Sequence, residues 1–149
     1  MRRFKRGQVW YVKCYRSTGH ESSGTRPAII VSNDKCNEHS PVLEVVYLTT
    51  SKTKKPLPTH VCVYANVPSI ALCEAVHSVD VSRILENHPI TTLDAEEMRR
   101  VDNALRISLG LEGEQYARNA EYSETHKLYQ LWQVLWLCSG IGCRAECNP

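Results

Sequence analysis

The amino-acid sequence predicts a mainly β domain, a small antiparallel barrel, with a helix at its C-terminal end. Five short runs rich in β-branched and aromatic residues occur within residues 8–76, and turn-forming residues separate them. No helical period occurs between these runs, which favours an antiparallel barrel over alternating strands and helices. A helical pattern begins only near residue 94. A chain of 149 residues has room for one such domain and an appendage.

The five predicted strands follow from their apolar patterns and from the loops between them. The first run alternates roughly, and the second and third are continuous apolar runs of the kind that fills a core. The last two flank an Asn-Val-Pro turn at residues 66–68. Polar loops lie at residues 16–25 and 51–58. The predicted strands cover residues 8–15, 27–32, 42–49, 60–64 and 69–76.

The C-terminal helix has a start signal, a period and a stop signal. Asp94, followed three residues later by Glu97, is typical of an N-cap with its capping-box partner. Apolar residues then recur at spacings of three and four, and Gly110 predicts the end of the helix. Residues 1–111 are therefore predicted to form the globular domain.

Residues 112–149 are predicted to be a C-terminal extension that is partly helical. Residues 114–139 contain neither Gly nor Pro, and Leu128, Leu131 and Trp132 begin an apolar stripe at helical spacing. The stripe indicates packing or partner binding rather than a cofactor site. Three cysteines, Cys138, Cys143 and Cys147, follow without a Cys-x-x-Cys spacing, so no metal site is predicted.

Charge is divided unevenly along the chain. Residues 1–60 carry 11 Lys or Arg and 4 Asp or Glu, a net charge of +7, whereas the remaining residues carry −5. The first part of the chain can therefore present a basic face to a polyanion, although the total charge is only +2.

The composition indicates a cytoplasmic protein that does not enter a membrane. No apolar run of signal-peptide length follows the basic N-terminus, and the longest apolar stretch, residues 131–138, is far shorter than a bilayer-spanning helix. The seven cysteines are an odd number without a framework spacing, which is typical of reduced thiols.

Five segments, in register with one another, resemble the MazF/PemK family of toxins. They read RGQVWY at 6–11, GTRPAIIVSND at 24–34, LT at 48–49, LPTHV at 57–61 and VDNAL at 101–105. The resemblance implies an SH3-like barrel of the CcdB/PemK type, a homodimer, and inhibition by a cognate antitoxin. It also implies cleavage of single-stranded mRNA that needs no ribosome, metal or other cofactor.

The resemblance marks Arg26 and Thr49 as the catalytic residues. RNA can be cut without a metal when its own 2′-hydroxyl attacks the adjacent phosphate in line, and such a site needs donors for the charge that grows on the phosphorane. Arg26 precedes the rigid Pro27, so its guanidinium can be aimed at a phosphate. An electrostatic role is favoured over proton acceptance, since arginine holds its proton strongly. Thr49 can bond a phosphate oxygen or position the 2′-hydroxyl if the second and third strands are neighbours.

The same resemblance assigns RNA contact to residues on the loops and strand ends around this pair. The loop lysines would attract phosphate, with ordinary solubilising lysines as the alternative. His60 would stack on a base or touch phosphate, with a histidine bonded locally at the start of a strand as the alternative. The assigned set is Glu21, Ser22, Thr25, Lys52, Lys54, Leu57, Pro58, Thr59, His60 and Glu74.

Residues 74–80 depart from the family pattern. The corresponding block usually reads Glu-Gln-(Ile/Val)-Arg, whereas here Ala75 stands in place of an amide and His77 in place of a fixed positive charge. Both changes bear on base recognition, because an amide reads base edges and alanine does not.

Two other functions are weighed against that of an endoribonuclease. Gyrase poisons on the same barrel resemble one another in a Trp-Gly-Ile carboxyl end, whereas this chain reads Cys147-Asn148-Pro149. A catalytically weak relative, whose tail binds a partner, is the third hypothesis, and an assay of RNA cleavage separates it from the first.

Overall fold

A computed structural model describes residues 4–14, 24–51 and 57–111, and these form an antiparallel half-barrel with a C-terminal helix. The strands are β1 (Gln8–Lys13), β2 (Thr25–Ile30), β3 (Val42–Thr49), β4 (His60–Ala65), β5 (Val67–Asp80) and β6 (Thr91–Thr92). The helices are α1 (Asp34–His39) and α2 (Ala95–Ser108), with a 3-10 turn at Val81–Arg83. The sheet order is β4-β5-β3-β2-β1-β6, and every pairing within it is antiparallel. The predicted fold class is confirmed.

All five predicted strands are present, but the expectation that no helix lies between them is wrong. The short helix α1 connects β2 to β3. It begins where the Asn33 side chain accepts a hydrogen bond from the Cys36 amide at 2.9 Å. With six residues, of which only Asn37 is buried, α1 has no apolar period by which the sequence could reveal it.

Strand β5 is longer than predicted, and it is bent in the middle. Val46 pairs with Val76, but Leu48 pairs with Ala71, so two steps along β3 correspond to five along β5. The additional residues form a bulge around Glu74, and such bulges re-aim side chains near functional sites. The first half of β5 pairs with β4, and both halves pair with β3.

The two faces of the sheet carry two separate clusters of buried side chains. The first cluster lies beneath α2, where Val101 and Ala104 meet Ile29, Val46 and other strand residues. The second cluster lies on the opposite face and contains residues from β1, β2, β3 and β5 together with Ile84. Its buried members are Trp10, Val12, Cys14, Ala28, Ile30, Leu43, Val45, Tyr47, Val79 and Ile84.

The predicted capping box of α2 is present and also protects the edge of the sheet. The Glu97 amide donates to Asp94 Oδ1 at 2.7 Å, and the Asp94 amide donates to Glu97 Oε2 at 3.1 Å. The other oxygen of Glu97 accepts the amide of Tyr64, on edge strand β4, at 2.9 Å. Arg100 donates to the Cys62 carbonyl of the same strand at 3.0 Å. Helix α2 thus satisfies backbone groups that an open edge would expose.

Replacing Glu97 with alanine should lower the free energy of unfolding by about 1–2 kcal/mol, because the bonds that its carboxylate accepts from the Asp94 and Tyr64 amides are both lost. Urea denaturation followed by far-UV circular dichroism measures the change. Glu96→Ala is the matched control, since Glu96 is exposed and contacts Arg99 on its own helix. Equal effects of the two substitutions would contradict a role of Glu97 at the sheet edge.

Within the residues that the structure describes, no helix combines the length and the apolar character needed to cross a membrane.

Candidate nucleic-acid interface

Arg26 and Thr49 lie on two neighbouring antiparallel strands, β2 and β3. Ala28 pairs with Tyr47, and Ile30 pairs with Val45. The paired residues end at Ala28 and Tyr47, and the same register continued by two residues sets Arg26 opposite Thr49. Directly opposed residues of such a pair have Cα atoms about 5 Å apart and side chains on the same face. The neighbouring strands on which the sequence argument depended are therefore present.

Both side chains lie on the sheet face opposite α2. Ala28 and Tyr47 belong to the second cluster, and side chains alternate along a strand, so Arg26 and Thr49 share their face. Both residues are half-buried at the end of that cluster. The Arg26 guanidinium and the Thr49 hydroxyl are therefore partly exposed to solvent and partly packed against the strands.

Thr49 is the last residue of β3, and its hydroxyl has a defined setting. Its Oγ1 accepts a hydrogen bond from the Ser51 amide at 3.1 Å. A hydroxyl that accepts one bond keeps its own proton to donate. Thr50 is exposed and follows Thr49 outside the strand.

The segment from Leu57 to His60 is a tight turn that orients a histidine. The His60 amide donates to the Leu57 carbonyl at 2.9 Å, and the Leu57 amide donates to His60 Nδ1 at 3.3 Å. Because Nδ1 accepts a bond, the proton of the neutral ring belongs on Nε2, which lies 3.2 Å from Glu74 Oε1. The Thr59 hydroxyl donates to the other carboxylate oxygen of Glu74, also at 3.2 Å.

His60 is thus hydrogen-bonded within the protein, in agreement with the alternative of a locally bonded histidine at the start of a strand. The His60 side chain is only 8% exposed, whereas the Glu74 side chain is 40% exposed. The chemical group that this cluster presents to solvent is the carboxylate rather than the imidazole. Contact between His60 and RNA stays a prediction.

The turn and the Arg26–Thr49 pair belong to the same face of the sheet. Thr49 pairs with Ile70, and Ile70 pairs with Cys62, so these three side chains lie in one row. His60 is two residues from Cys62 on β4 and points to the same side by alternation.

Tyr47 is a residue of this face that the sequence analysis missed. It is 5% exposed, and its ring centroid lies 4.7 Å from that of His77. Burial raises the pKa of Tyr47, and a hydrogen bond with the Cys14 side chain raises it further, while the positive charges of Arg83 and Arg26 act in the opposite direction. The hydroxyl therefore stays protonated near neutral pH. Its position two residues before Thr49 was the signal that could have found it.

The remaining predicted residues are only partly covered by the structure. Thr25 is exposed at the start of β2, opposite Lys13. Leu57 is 42% exposed and Pro58 is half-buried. Four other predicted residues lie outside the described residues, namely Glu21, Ser22, Lys52 and Lys54. The C-terminal extension, with its apolar stripe and three cysteines, also lies outside them.

The motifs on this antiparallel half-barrel point to a class of toxin, and a sequence profile confirms that class. The profile describes a PemK-like, MazF-like toxin of type II toxin-antitoxin systems and matches residues 5–109. The chain belongs to this family. The family predicted from the sequence is confirmed.

Relatives with known names or structures agree with this assignment. The endoribonuclease EndoA of Bacillus subtilis (strain 168) is 38% identical over 112 residues, which cover 72% of this chain and 95% of the relative. The structure of MazF from Deinococcus radiodurans has a TM-score of 0.61 at 23% identity, with 71% of this chain and 96% of that chain covered. An endoribonuclease solved in complex with its cognate antitoxin from Mycobacterial species has a TM-score of 0.59 at 24% identity, with 72% and 96% covered. The two structures support the fold.

Proposed function

We propose that this protein is an endoribonuclease toxin that cleaves single-stranded mRNA without a ribosome or a metal. The observation that carries the proposal is the antiparallel pairing of β2 with β3, whose register, continued by two residues, sets Arg26 opposite Thr49 at a half-exposed end of the sheet. The name of the relative from Bacillus subtilis supports the reaction class. The same name favours RNA cleavage over the gyrase-poison alternative.

The reaction is an in-line attack of the RNA 2′-hydroxyl on the adjacent phosphate. The new bond joins the 2′-oxygen to phosphorus, and the bond from phosphorus to the 5′-oxygen breaks. The products carry a 2′,3′-cyclic phosphate and a 5′-hydroxyl, so a proton leaves the 2′-oxygen and another reaches the 5′-oxygen. Negative charge grows on the two non-bridging oxygens as the phosphorane forms.

Arg26 stabilises that charge. Its guanidinium presents donors in a planar fork that matches two phosphate oxygens. The neighbouring Pro27 and the pairing of Arg26 with Val12 on β1 fix its backbone. A preorganised cation of this kind lowers the barrier, because it does not have to be reoriented as the charge develops. The Thr49 hydroxyl donates a hydrogen bond to a phosphate oxygen or holds the 2′-hydroxyl in line for the attack.

Glu74 contacts the RNA, and His60 and Thr59 position the Glu74 carboxylate. The bonds from His60 Nε2 and the Thr59 hydroxyl engage both carboxylate oxygens and restrict the rotamer of Glu74. A carboxylate held in this way can accept hydrogen bonds from base amino groups. The proposed RNA-binding set also includes Thr25, at the start of β2, and Leu57 and Pro58, just before β4. Its other members are Glu21, Ser22, Lys52 and Lys54.

A cognate antitoxin protein is the proposed inhibitor, and a second copy of the chain is the proposed partner in a homodimer. The antitoxin complex of the Mycobacterial relative supports the first. A basic surface attracts an acidic antitoxin segment, which gives inhibition a competitive route. Tyr11 and Leu85, joined by a backbone hydrogen bond of 3.1 Å and partly exposed, offer apolar surface to a second copy. Residues 112–149 are proposed to be a separate extension.

The proposed location is the cytoplasm, where mRNA is found. Cys14, Cys36, Cys62 and Cys73 are free thiols in the part of the chain that the structure describes, which is compatible with a reducing compartment.

Incubation of the purified protein with a long single-stranded RNA in excess EDTA tests the activity. We expect defined fragments in the absence of ribosomes and of free divalent cations, and sequencing of the fragment ends should give a short common cleavage sequence. A double-stranded RNA of the same sequence is the control and should stay intact. RNA that remains intact over a range of salt concentrations would contradict the proposal.

A further inference from the structure

The side chains of Tyr47 and His77 form an aromatic pair on the same face as Arg26 and Thr49. Their ring centroids are 4.7 Å apart, with an interplanar angle of 47°. Tyr47 is buried, whereas His77 is half-buried. The tyrosine ring is thus the support, and the histidine ring is the member of the pair that solvent reaches.

The sheet register fixes the distance from this pair to the proposed catalytic residues. His77 pairs with Val45, which lies on β3 four residues before Thr49, and Tyr47 lies between the two. At about 3.3 Å per residue, the pair is about 7–13 Å from Thr49 along the strand. One or two nucleotides of an extended RNA strand span such a distance.

The surroundings of Tyr47 hold the pair in place beside positive charge. The side chains of Cys14, Arg26 and Arg83 are close enough to the Tyr47 hydroxyl to influence it electrostatically. Cys14 and Tyr47 are buried, so the support ring has little freedom to move. A fixed aromatic ring with guanidinium groups nearby combines the two elements that single-stranded RNA needs, a stacking surface and phosphate partners.

We propose that His77, supported by Tyr47, is a stacking platform for a nucleobase of the RNA, one or two nucleotides from the scissile phosphate. The inference rests on the proposed function, because it concerns the RNA bound on the same face. Stacking tolerates any base, since every base has a π-face, but a larger ring covers the platform better. We therefore expect a purine preference at that position, because of the larger ring.

Fluorescence of 2-aminopurine measures base stacking directly. Short 2′-O-methyl RNA strands carry one 2-aminopurine at successive positions around the mapped cleavage sequence, or between random flanks if no RNA is cleaved. The 2′-O-methyl groups prevent the attack, so binding is observed without turnover. We expect quenching to be strong at one position, lost in His77→Ala, and retained in His77→Phe. His39→Ala is the matched control, since His39 is exposed at the end of α1, which follows the end of β2 that is distant from Arg26.

Kinetics on a cleavable substrate give a second readout. His77→Ala should raise KM by about tenfold or more with little change in kcat, because base–aromatic stacking contributes to binding rather than to the chemical step. His77→Phe should restore KM. Thermal unfolding of both variants checks that each is folded.

The outcomes separate this inference from the proposed activity. Equal quenching in the wild type and in a folded His77→Ala variant overturns the stacking platform, and so does the absence of quenching at every position. Loss of quenching in a folded His77→Phe variant also overturns it. Position-specific quenching that depends on His77, in a protein that does not cleave RNA, would support the platform and contradict the endoribonuclease.

Discussion

Arg26→Ala should lower kcat for RNA cleavage by about 10²- to 10³-fold and leave the thermal stability of the protein nearly unchanged. Removal of one preorganised donor to a developing anion has an effect of this size in other enzymes. Arg26 is half-buried at the end of the second cluster rather than inside it, so its loss leaves no cavity. Single-turnover cleavage of a labelled oligonucleotide, with enzyme in excess, measures the chemical step.

Two further substitutions make the result on Arg26 specific. Arg26→Lys should be intermediate, because it keeps the positive charge but loses the planar fork. Arg106→Ala should leave cleavage unchanged, since Arg106 is exposed on α2 and contacts Asn103 of the same helix. Full activity of a folded Arg26→Ala variant would contradict the assignment of Arg26.

Thr49→Val should lower kcat by about 10- to 100-fold, because a hydroxyl donor is replaced by a methyl group of the same shape. Thr49→Ser should retain most of the activity, as it keeps the hydroxyl. The substitution to valine also removes the acceptor of the Ser51 amide, which is exposed and can bond water instead. The same single-turnover assay measures all the variants.

Thr50→Val is the matched control for Thr49. The two residues are adjacent, but Thr50 is exposed and lies beyond the end of β3. If Thr50→Val lowered kcat as much as Thr49→Val, the position of Thr49 opposite Arg26 would not account for the chemistry.

The parts of the fold that the sequence predicted are those with a local signal. The strand patterns and the pair of Asp94 and Glu97 depend on residues within a few positions of one another. Helix α1 escaped prediction because it is short and its only sequence signal is the N-cap residue Asn33. The end of β5 escaped prediction because three of its last four residues are polar and its pairing partner, β3, is distant in the sequence.

The same distinction applies to the candidate site. Arg26 and Thr49 could be brought together from the sequence, because consecutive strands of an antiparallel sheet often pair. The burial of His60 could not be foreseen, since it depends on Glu74 of another strand, whose position the bulge sets. The contact between Tyr47 and His77 likewise joins residues of two strands, and no motif connects them.

Analysis of the RNA ends most directly tests the central claim, in-line attack by the 2′-hydroxyl at a site built from Arg26 and Thr49. Products formed in EDTA should carry a 2′,3′-cyclic phosphate and a 5′-hydroxyl by mass spectrometry, and a single 2′-deoxy substitution 5′ to the scissile phosphate should abolish cleavage. Products with a 3′-hydroxyl and a 5′-phosphate, or cleavage of the deoxy-substituted strand, would contradict it.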